Sequence, residues 1–283
     1  YVTMGEVFAW VMGWLLLLEY GVAASTVASG WTGYVTSLLS DFGVHFGSGV
    51  TQSTLKLEGG VLQVGSSINV IGAIGILAVT SLLVIGVKES ASVNNVIVAI
   101  KITVLLAFIA VGVFYVNTDN WHPFFPAHEG GFRYGWQGGL RAASIIFFAY
   151  VGFEAVSTAA GEARNPQKDL PIGILGSLVI CTVLYMAVAA VMTGVVPYKE
   201  LAGGAPIAIA IDRMNPQWAV IHWSLTDNGQ LNLLAFLIKI GAFTGLSSVM
   251  LVLMYAQTRV FYQMAKDGLL PNVFSRVSQK FKT

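Results

Sequence analysis

Residues 92–117 read SVNNVIVAIKITVLLAFIAVGVFYVN, an apolar run long enough to cross a bilayer, which takes about 20 helical residues. One residue in it is out of place by composition, Lys101. A charge at the centre of a membrane helix costs about 2.5–3.5 kcal/mol on insertion scales, so it needs a partner, a cavity or a use for its proton. The alternative is that the four-carbon stem carries the amine to an interface. Counted along the run, Lys101 lies roughly 12 Å in at 1.5 Å per residue. That is deep for snorkelling, and the balance favours a functional lysine.

The rest of the chain has the same character. It is 55% hydrophobic and 10% charged, where a soluble domain carries about 25% charged residues. The sequence therefore reads as an all-α polytopic membrane protein, a single transmembrane domain over residues 1–283. A formal net charge of +1 and the lack of a basic run exclude nucleic acid as a partner class. The single cysteine, Cys181, rules out an internal disulfide. Nothing at the start resembles a cleavable leader, since YVTMGEVFAW already enters an apolar helix. With no initiator Met, the chain reads as a fragment.

Six stretches are expected to span: 6–29, 63–87, 92–117, 139–160, 170–196 and 232–262. Three connections are long, 30–62, 118–138 and 197–231, and no soluble domain intervenes. Lys88, Arg164, Lys168, Arg259, Lys266, Arg276, Lys280 and Lys282 fall in the short connections, the C-terminal tail or the span ends next to them. The long connections and the span ends next to them are more sparsely charged, with Lys56, Arg133, Arg141, Lys199 and Arg213. The denser side is expected to face the cytoplasm. Trp31, Trp121, Trp136, Trp218 and Trp223 then fall at or beyond the outer ends, as interfacial anchors do.

Besides Lys101, three ionisable residues fall well inside spans: Glu19 in WLLLLEYGVA, Glu154 in FFAYVGFEAVS and Lys239 in LLAFLIKIGAF. Each should face a cavity or a partner rather than lipid. For Glu19 a buried helix–helix hydrogen bond or ion pair is as good a reading as a functional one. Lys239 lies near an outer helix end, where snorkelling is the expected account. Around Glu154, Gly152 and the aromatics Phe147, Phe148, Tyr150 and Phe153 suit a helix that breaks at mid-membrane. Such a break frees backbone N–H and C=O groups, which is tolerated where they line a cavity and is how transporters hold substrates and ions. Ser247 and Ser248, in GAFTGLSSVM, sit at a depth compatible with Lys101. An ammonium with three donors suits hydroxyls and exposed carbonyls there, much as a sodium ion would. Serines in spans also commonly bond their own helix. His45, His122, His128 and His222 all lie in the long connections. With no HExxH, GxSxG or phosphate-loop pattern, the sequence offers no metal, no cofactor and no hydrolase chemistry.

Four segments together, GWLLLLEYGVAASTVASGW, VIVAIKITVLLAFIAVGVFYV, FFAYVGFEAVSTAAGEARNPQKDLPIGI and YAQTRVFYQMAKDGLLP, resemble the amino acid–polyamine–organocation superfamily. Within it they resemble the cationic amino acid transporter branch and its bacterial homologues, over essentially the whole chain. The resemblance implies the five-plus-five inverted-repeat fold, with these spans as its third to eighth helices, so that the first two and the ninth onward would be absent. It implies that Phe148, Ala149 and Val151 lie at the break of the sixth helix, contacting substrate, and that Gly152 and Glu154 belong to the same site. Glu154 stands where relatives usually carry aspartate, and Gly161 where a Glu often precedes the ARNP motif. Glu19 resembles a buried acid of the third helix. Lys101 resembles a lysine that takes the place of a sodium ion, with Ser247 and Ser248 as the hydroxyl pair of that cation site.

The expected function is secondary amino-acid transport by alternating access, in a bacterial plasma membrane, with protons as the coupling ion through Lys101 and Glu19 and with lipid as surroundings. Two other readings share the scaffold: an exchanger without net proton flow, and a non-transporting sensor or interaction protein. An enzyme is a distant possibility, since the spans hold no nucleophile–base pair. Small neutral and cationic amino acids both remain open as substrates.

Overall fold

The computed structural model describes residues 5–58, 61–85, 91–131, 134–152, 165–201, 204–223, 226 and 230–276. Among these the helices, in chain order, are α1 (Glu6–Ser40), α2 (Ser48–Thr51), α3 (Val70–Ile85), α4 (Ala91–Gly112), α5 (Gly135–Ile146), α6 (Pro166–Val195), α7 (Pro206–Met214) and α8 (Leu233–Lys266). Short 3₁₀ turns join several of them. Two antiparallel hairpins complete the described structure: β1 (Leu55–Glu58) with β2 (Val61–Val64), and β3 (Val220–His222) with β4 (Gln230–Asn232). Leu55 pairs with Val64 and Glu58 with Val61 in the first, and Val220 with Asn232 in the second. By length and composition, four segments among the described residues suffice to cross a membrane: Glu6–Ser40, Val96–Tyr115, Gln167–Val195 and Leu233–Lys266. Val70–Ile85 is apolar but shorter.

The chain divides into two compact units. One comprises Tyr1–Val104, Gly203–Ala208 and Asn215–Thr283; the other comprises Leu105–Ala202 and Ile209–Met214.

The first unit is built on α1 and α8, which pack antiparallel along their lengths. The buried stripe of α1, Gly13, Leu17, Tyr20, Ala24, Ala28 and Thr32, recurs every three or four residues and so lies on one face. Small residues in that stripe let the backbones approach, as helix pairs in lipid require. A Cβ on Gly13 would lie 2.5 Å from the Met264 sulfur, so the end of the flexible Met264 side chain packs directly on the bare backbone there. Farther along, Gln257 Nε2 donates to the Leu17 carbonyl at 3.2 Å. Ala28 on α1, Val79 on α3 and Met250 on α8 form one apolar cluster, with Trp31 packed against it. Asn69 fixes the start of α3: its Oδ1 accepts from the Gly72 N–H at 2.7 Å and lies 3.0 Å from the buried Thr32 hydroxyl. Tyr34 packs on Ala205 and Ala208, which brings the start of α7 against α1.

The second unit is organised by α6. Its C-terminal carbonyls are met by the turn that follows α4: Asn117 N–H and Asn120 Nδ2 both donate to the Gly194 carbonyl, at 2.9 and 2.7 Å. Trp121 Nε1 donates to the Ala190 carbonyl at 3.2 Å. These donors satisfy groups that a helix end otherwise leaves unpaired. Gly194 admits Val116 and Trp121, since a Cβ there would lie 2.8 Å from the former and 3.1 Å from the latter.

Several element boundaries differ from the sequence expectation. Helix α1 runs through residue 29 to Ser40, because Trp31, Thr32 and Tyr34 continue its packed face. Trp31 is therefore a part-buried helix residue and not an anchor beyond the helix end. The stretch expected to span from 63 begins instead as strand β2, and its helix starts at Val70 where Asn69 supplies the N-terminal acceptor. The stretch expected over 139–160 starts at Gly135, and its α-helix ends at Ile146. The last helix continues past 262 to Lys266.

Candidate functional site

Lys101 lies about 15 Å along α4 from Ala91 at 1.5 Å per residue and is half-buried. Its Nζ donates to Ser248 Oγ on α8. Glycines on α8 make room for it. A Cβ on Gly245 would rest 3.6 Å from both Cγ and Cε of Lys101, so the lysine stem runs over the bare backbone of that residue. One turn earlier, a Cβ on Gly241 would come within 2.5 Å of Val104 Cγ2. Gly241, Gly245 and Ser248 thus form one stripe on α8 facing α4, with the small-x-x-x-small spacing that brings membrane helices close.

The two adjacent serines serve different neighbours. Successive residues on a helix point about 100° apart, so Ser247 cannot share the face of Ser248. It lies with Phe243, one turn earlier, on the face toward α1. There Ser247 Oγ accepts from Trp31 Nε1 at 2.8 Å and donates to the Phe243 carbonyl at 2.8 Å. The Trp31 ring lies 5.3 Å from that of Phe243, and a Cβ on Gly75 of α3 would meet it at 2.9 Å. Ser248 in turn lies 3.2 Å from the Gly245 carbonyl, to which its hydroxyl proton is directed while its oxygen accepts from Lys101. Of the expected hydroxyl pair, Ser248 meets Lys101 and Ser247 is committed to Trp31.

Glu19 is exposed on α1. It shares an outward stripe with Leu15 and Val22, one turn to either side, while Leu17 and Tyr20 take the packed face. Among the described residues Glu19 is therefore exposed and makes no hydrogen bond to Lys101 or Ser248.

Lys239 corrects the snorkelling expectation. It is 1% exposed, and its Nζ donates to both carboxylate oxygens of Asp41, at 2.9 and 3.0 Å. Asp41 directly follows the last residue of α1, so the ion pair ties that end to the first turns of α8.

The second unit holds the end of α5, where a break was expected. After Ile146 the backbone tightens into a 3₁₀ turn over Phe147–Tyr150, and the Val151 N–H donates to the Phe148 carbonyl at 3.2 Å. Gly152 follows with φ +108°, a conformation open to glycine and strained for other residues. Regular α-helical geometry thus ends at Ile146 and gives way to a tighter turn before Gly152. Phe148 and Ala149 are exposed, and Val151 and Gly152 half-buried. Two residues of α6 reach this segment. Tyr185 donates its hydroxyl to the Ala149 carbonyl at 3.0 Å, and Tyr150 is 2.8 Å from Thr182 Oγ1. Glu154, expected in the same site, lies outside the described residues.

Asp41, Thr182 and Tyr185 were not singled out from the sequence, and Trp31 only as an interfacial anchor. The glycine spacing at Gly241 and Gly245 carried a readable signal for the α4–α8 approach. Tyr185 and Asp41 carried none, because their partners are distant in the chain.

Comparison with known proteins matches the amino acid permease family over residues 1–283. The chain is 43% identical over 283 residues to a methylthioribose transporter of Bacillus subtilis (strain 168), covering 100% of this chain and 55% of that protein. It is 42% identical over 284 residues to the branched-chain amino acid permease BcaP of the same organism, covering 100% of this chain and 56% of the permease. To cationic amino acid transporter 9, chloroplastic, of Arabidopsis thaliana it is 35% identical over 279 residues, covering 98% of this chain and 44% of the transporter. The chain spans about half the length of the curated relatives it matches.

Proposed function

This chain belongs to the amino acid permease family and is part of a multi-pass membrane protein, and from that premise we propose that the protein carries amino acids across the plasma membrane, coupled to protons, by alternating access. The observation that supports proton coupling best is the Lys101–Ser248 hydrogen bond, made by a half-buried lysine laid over the backbone of Gly245. A charged amine there holds α4 to α8 by donating to a hydroxyl. Loss of one proton, Nζ going from –NH₃⁺ to –NH₂ with the proton released to the cytoplasm, replaces a charge-assisted bond by a weaker neutral one. That loosens the α4–α8 clasp and favours the inward-open form. Reprotonation from outside resets it. The break at Phe148, Ala149, Val151 and Gly152 supplies backbone groups for a zwitterionic substrate, and Glu154 belongs to the same proposed site.

The substrate class is read as neutral amino acids. Two of the relatives carry names for neutral solutes, a branched-chain amino acid permease and a methylthioribose transporter. Cationic substrates are the second reading, from the name of the plant relative.

The test is uptake of labelled alanine by the full-length protein in proteoliposomes, with and without an inward proton gradient, against excess leucine, arginine or methylthioribose. Gradient-driven accumulation that leucine reduces and arginine does not is the expected result. Uptake indifferent to the gradient means an exchanger, with Lys101 a fixed cation. Competition by methylthioribose but not leucine moves the substrate to a thioether sugar. Lys101→Ala should abolish accumulation while leaving alanine binding measurable, and normal gradient-driven accumulation by that variant refutes the coupling role.

A further inference from the structure

The α6 face opposite the break carries two hydrogen-bonding residues, Thr182 and Tyr185, three positions apart and so side by side on the helix. Thr182 Oγ1 donates its one proton to the Leu178 carbonyl at 2.7 Å. The Tyr150 hydroxyl, 2.8 Å away, must then be the donor to Thr182. Tyr185 donates to the Ala149 carbonyl at 3.0 Å. The rings of Tyr150 and Tyr185 meet edge to face at 5.5 Å. Two consecutive residues of the broken segment, Ala149 through its backbone and Tyr150 through its side chain, are thus clamped to α6.

The Ala149 carbonyl deserves this support for a physical reason. A carbonyl oxygen has two lone pairs. In the 3₁₀ turn that ends at Tyr150, followed by Gly152 at φ +108°, this acceptor sits where regular helical bonding gives out. Tyr185 occupies one direction of approach and fixes the orientation of the carbonyl, leaving the second lone pair for another donor. A substrate ammonium is such a donor.

We infer that Tyr185 is a positioning residue for substrate: its hydroxyl holds the Ala149 carbonyl in the orientation that accepts the ammonium of the amino acid, with Thr182 steadying the neighbouring Tyr150. The inference rests on the amino-acid reading above and adds to it residues of a different helix, which touch the break and not the substrate.

The decisive variant is Tyr185→Phe, which keeps the ring contact with Tyr150 and removes only the hydroxyl. In the full-length protein in proteoliposomes, it should raise the KM for labelled alanine about 2- to 12-fold, the effect of one ordinary hydrogen bond, with kcat within about twofold. The dependence of uptake on the proton gradient should be unchanged. A second readout separates positioning from general loosening. N-Methylalanine, whose ammonium has one N–H fewer, should compete less well than alanine against the wild type, and Tyr185→Phe should narrow that difference. An unchanged or lowered KM, or a loss confined to kcat, overturns the inference. So does an undiminished preference for alanine over N-methylalanine. Where Tyr185→Phe does not fold, Thr182→Val takes its place. It should raise KM in the same way by freeing Tyr150, and an unaltered KM overturns the clamp. Wild-type protein that takes up no alanine sinks the amino-acid reading itself, a result distinct from wild-type uptake that the α6 variants leave untouched.

Discussion

Lys239, 1% exposed, faces both carboxylate oxygens of Asp41 at 2.9 and 3.0 Å, joining the end of α1 to the first turns of α8. A buried ion pair is weak evidence for net stability, because two charges must be desolvated to make it. Breaking one from a single side is costly all the same, since it strands the other charge. Asp41→Asn, which leaves the buried Lys239 ammonium without its counter-charge, is expected to destabilise the protein by about 3–5 kcal/mol, and Lys239→Met by less, because the Asp41 side chain is 26% exposed and can be hydrated. The double variant Lys239→Met/Asp41→Asn should recover a large part of that loss. Thermal unfolding of the four proteins in detergent closes the cycle, and strictly additive losses would show that the pair is not coupled.

This ion pair also marks the limit of what the sequence disclosed. Hydropathy located the long apolar helices, because membrane helices must bury every backbone polar group internally and so appear as long apolar runs. It placed Lys101 within reach of Ser248, because depth along a helix is simple arithmetic at 1.5 Å per residue. It did not disclose that Lys239 meets a carboxylate 198 positions earlier in the chain. A position near a helix end is compatible with both snorkelling and pairing, and the choice lies in tertiary contacts. The same holds for Ser247. Adjacent serines look like a pair in a sequence, yet helical geometry turns them to different neighbours, and Trp31 claims one of them. The first hairpin was legible and was absorbed by its surroundings. LKLEGGVLQV, residues 55–64, has an alternating first half before Gly-Gly, but its mostly apolar second half merges with α3 in a hydropathy window. The break at Gly152 was the clearest local signal, since a positive φ calls for glycine.

The division of labour between the serines has a direct consequence for transport. Ser248→Ala removes the acceptor of the Lys101 ammonium and should reduce gradient-driven uptake about 12- to 160-fold, as loss of a hydrogen bond to a charged group does. Ser247→Ala should leave the proton dependence of uptake intact, because its hydroxyl bonds Trp31 and the Phe243 carbonyl. Measuring uptake of labelled alanine at several gradient strengths separates the two. Equal effects from both variants would return Ser247 to the Lys101 site.

Asn69 anchors α3 to α1 through the Gly72 N–H and the Thr32 hydroxyl. Asn69→Ala removes the N-terminal acceptor and is expected to cost about 1 kcal/mol, the usual effect of losing a helix cap. Thr32 is 1% exposed, but its hydroxyl keeps the Ala28 carbonyl at 2.9 Å, so Asn69→Ala leaves no stranded donor there. Thr32→Val does the reverse: it keeps the cap and removes the cross-helix bond, together with the local bond to the Ala28 carbonyl. The cap variant should therefore speed amide exchange in the first turn of α3 more than Thr32→Val does, as hydrogen-exchange mass spectrometry would register. The opposite order would mean that the cross-helix bond, and not the cap, holds the helix start.

The α4–α8 approach makes the sharpest steric prediction, because two glycines one turn apart differ in the room they have. At Gly241 a methyl group would come within 2.5 Å of one Val104 γ-carbon and 2.8 Å of the other. Both belong to a β-branched side chain with a stiff χ1, so the helices must separate to admit it. At Gly245 the nearest atoms are carbons of the Lys101 stem at 3.6 Å, an ordinary contact. Gly241→Ala is accordingly expected to cost about 1–3 kcal/mol, the range for overpacking a close-packed interface, and Gly245→Ala less than about 1 kcal/mol. The pairing Gly241→Ala with Val104→Ala should restore much of the loss by returning the volume. Because Lys101 sits one turn from Val104 on α4, splaying the helices at Gly241 should also lengthen the Lys101–Ser248 contact and weaken gradient-driven uptake, whereas Gly245→Ala should leave it near the wild-type rate. Thermal unfolding and uptake measured on the same variants check both halves, and a Gly245→Ala protein more damaged than Gly241→Ala would contradict the packing described for this interface.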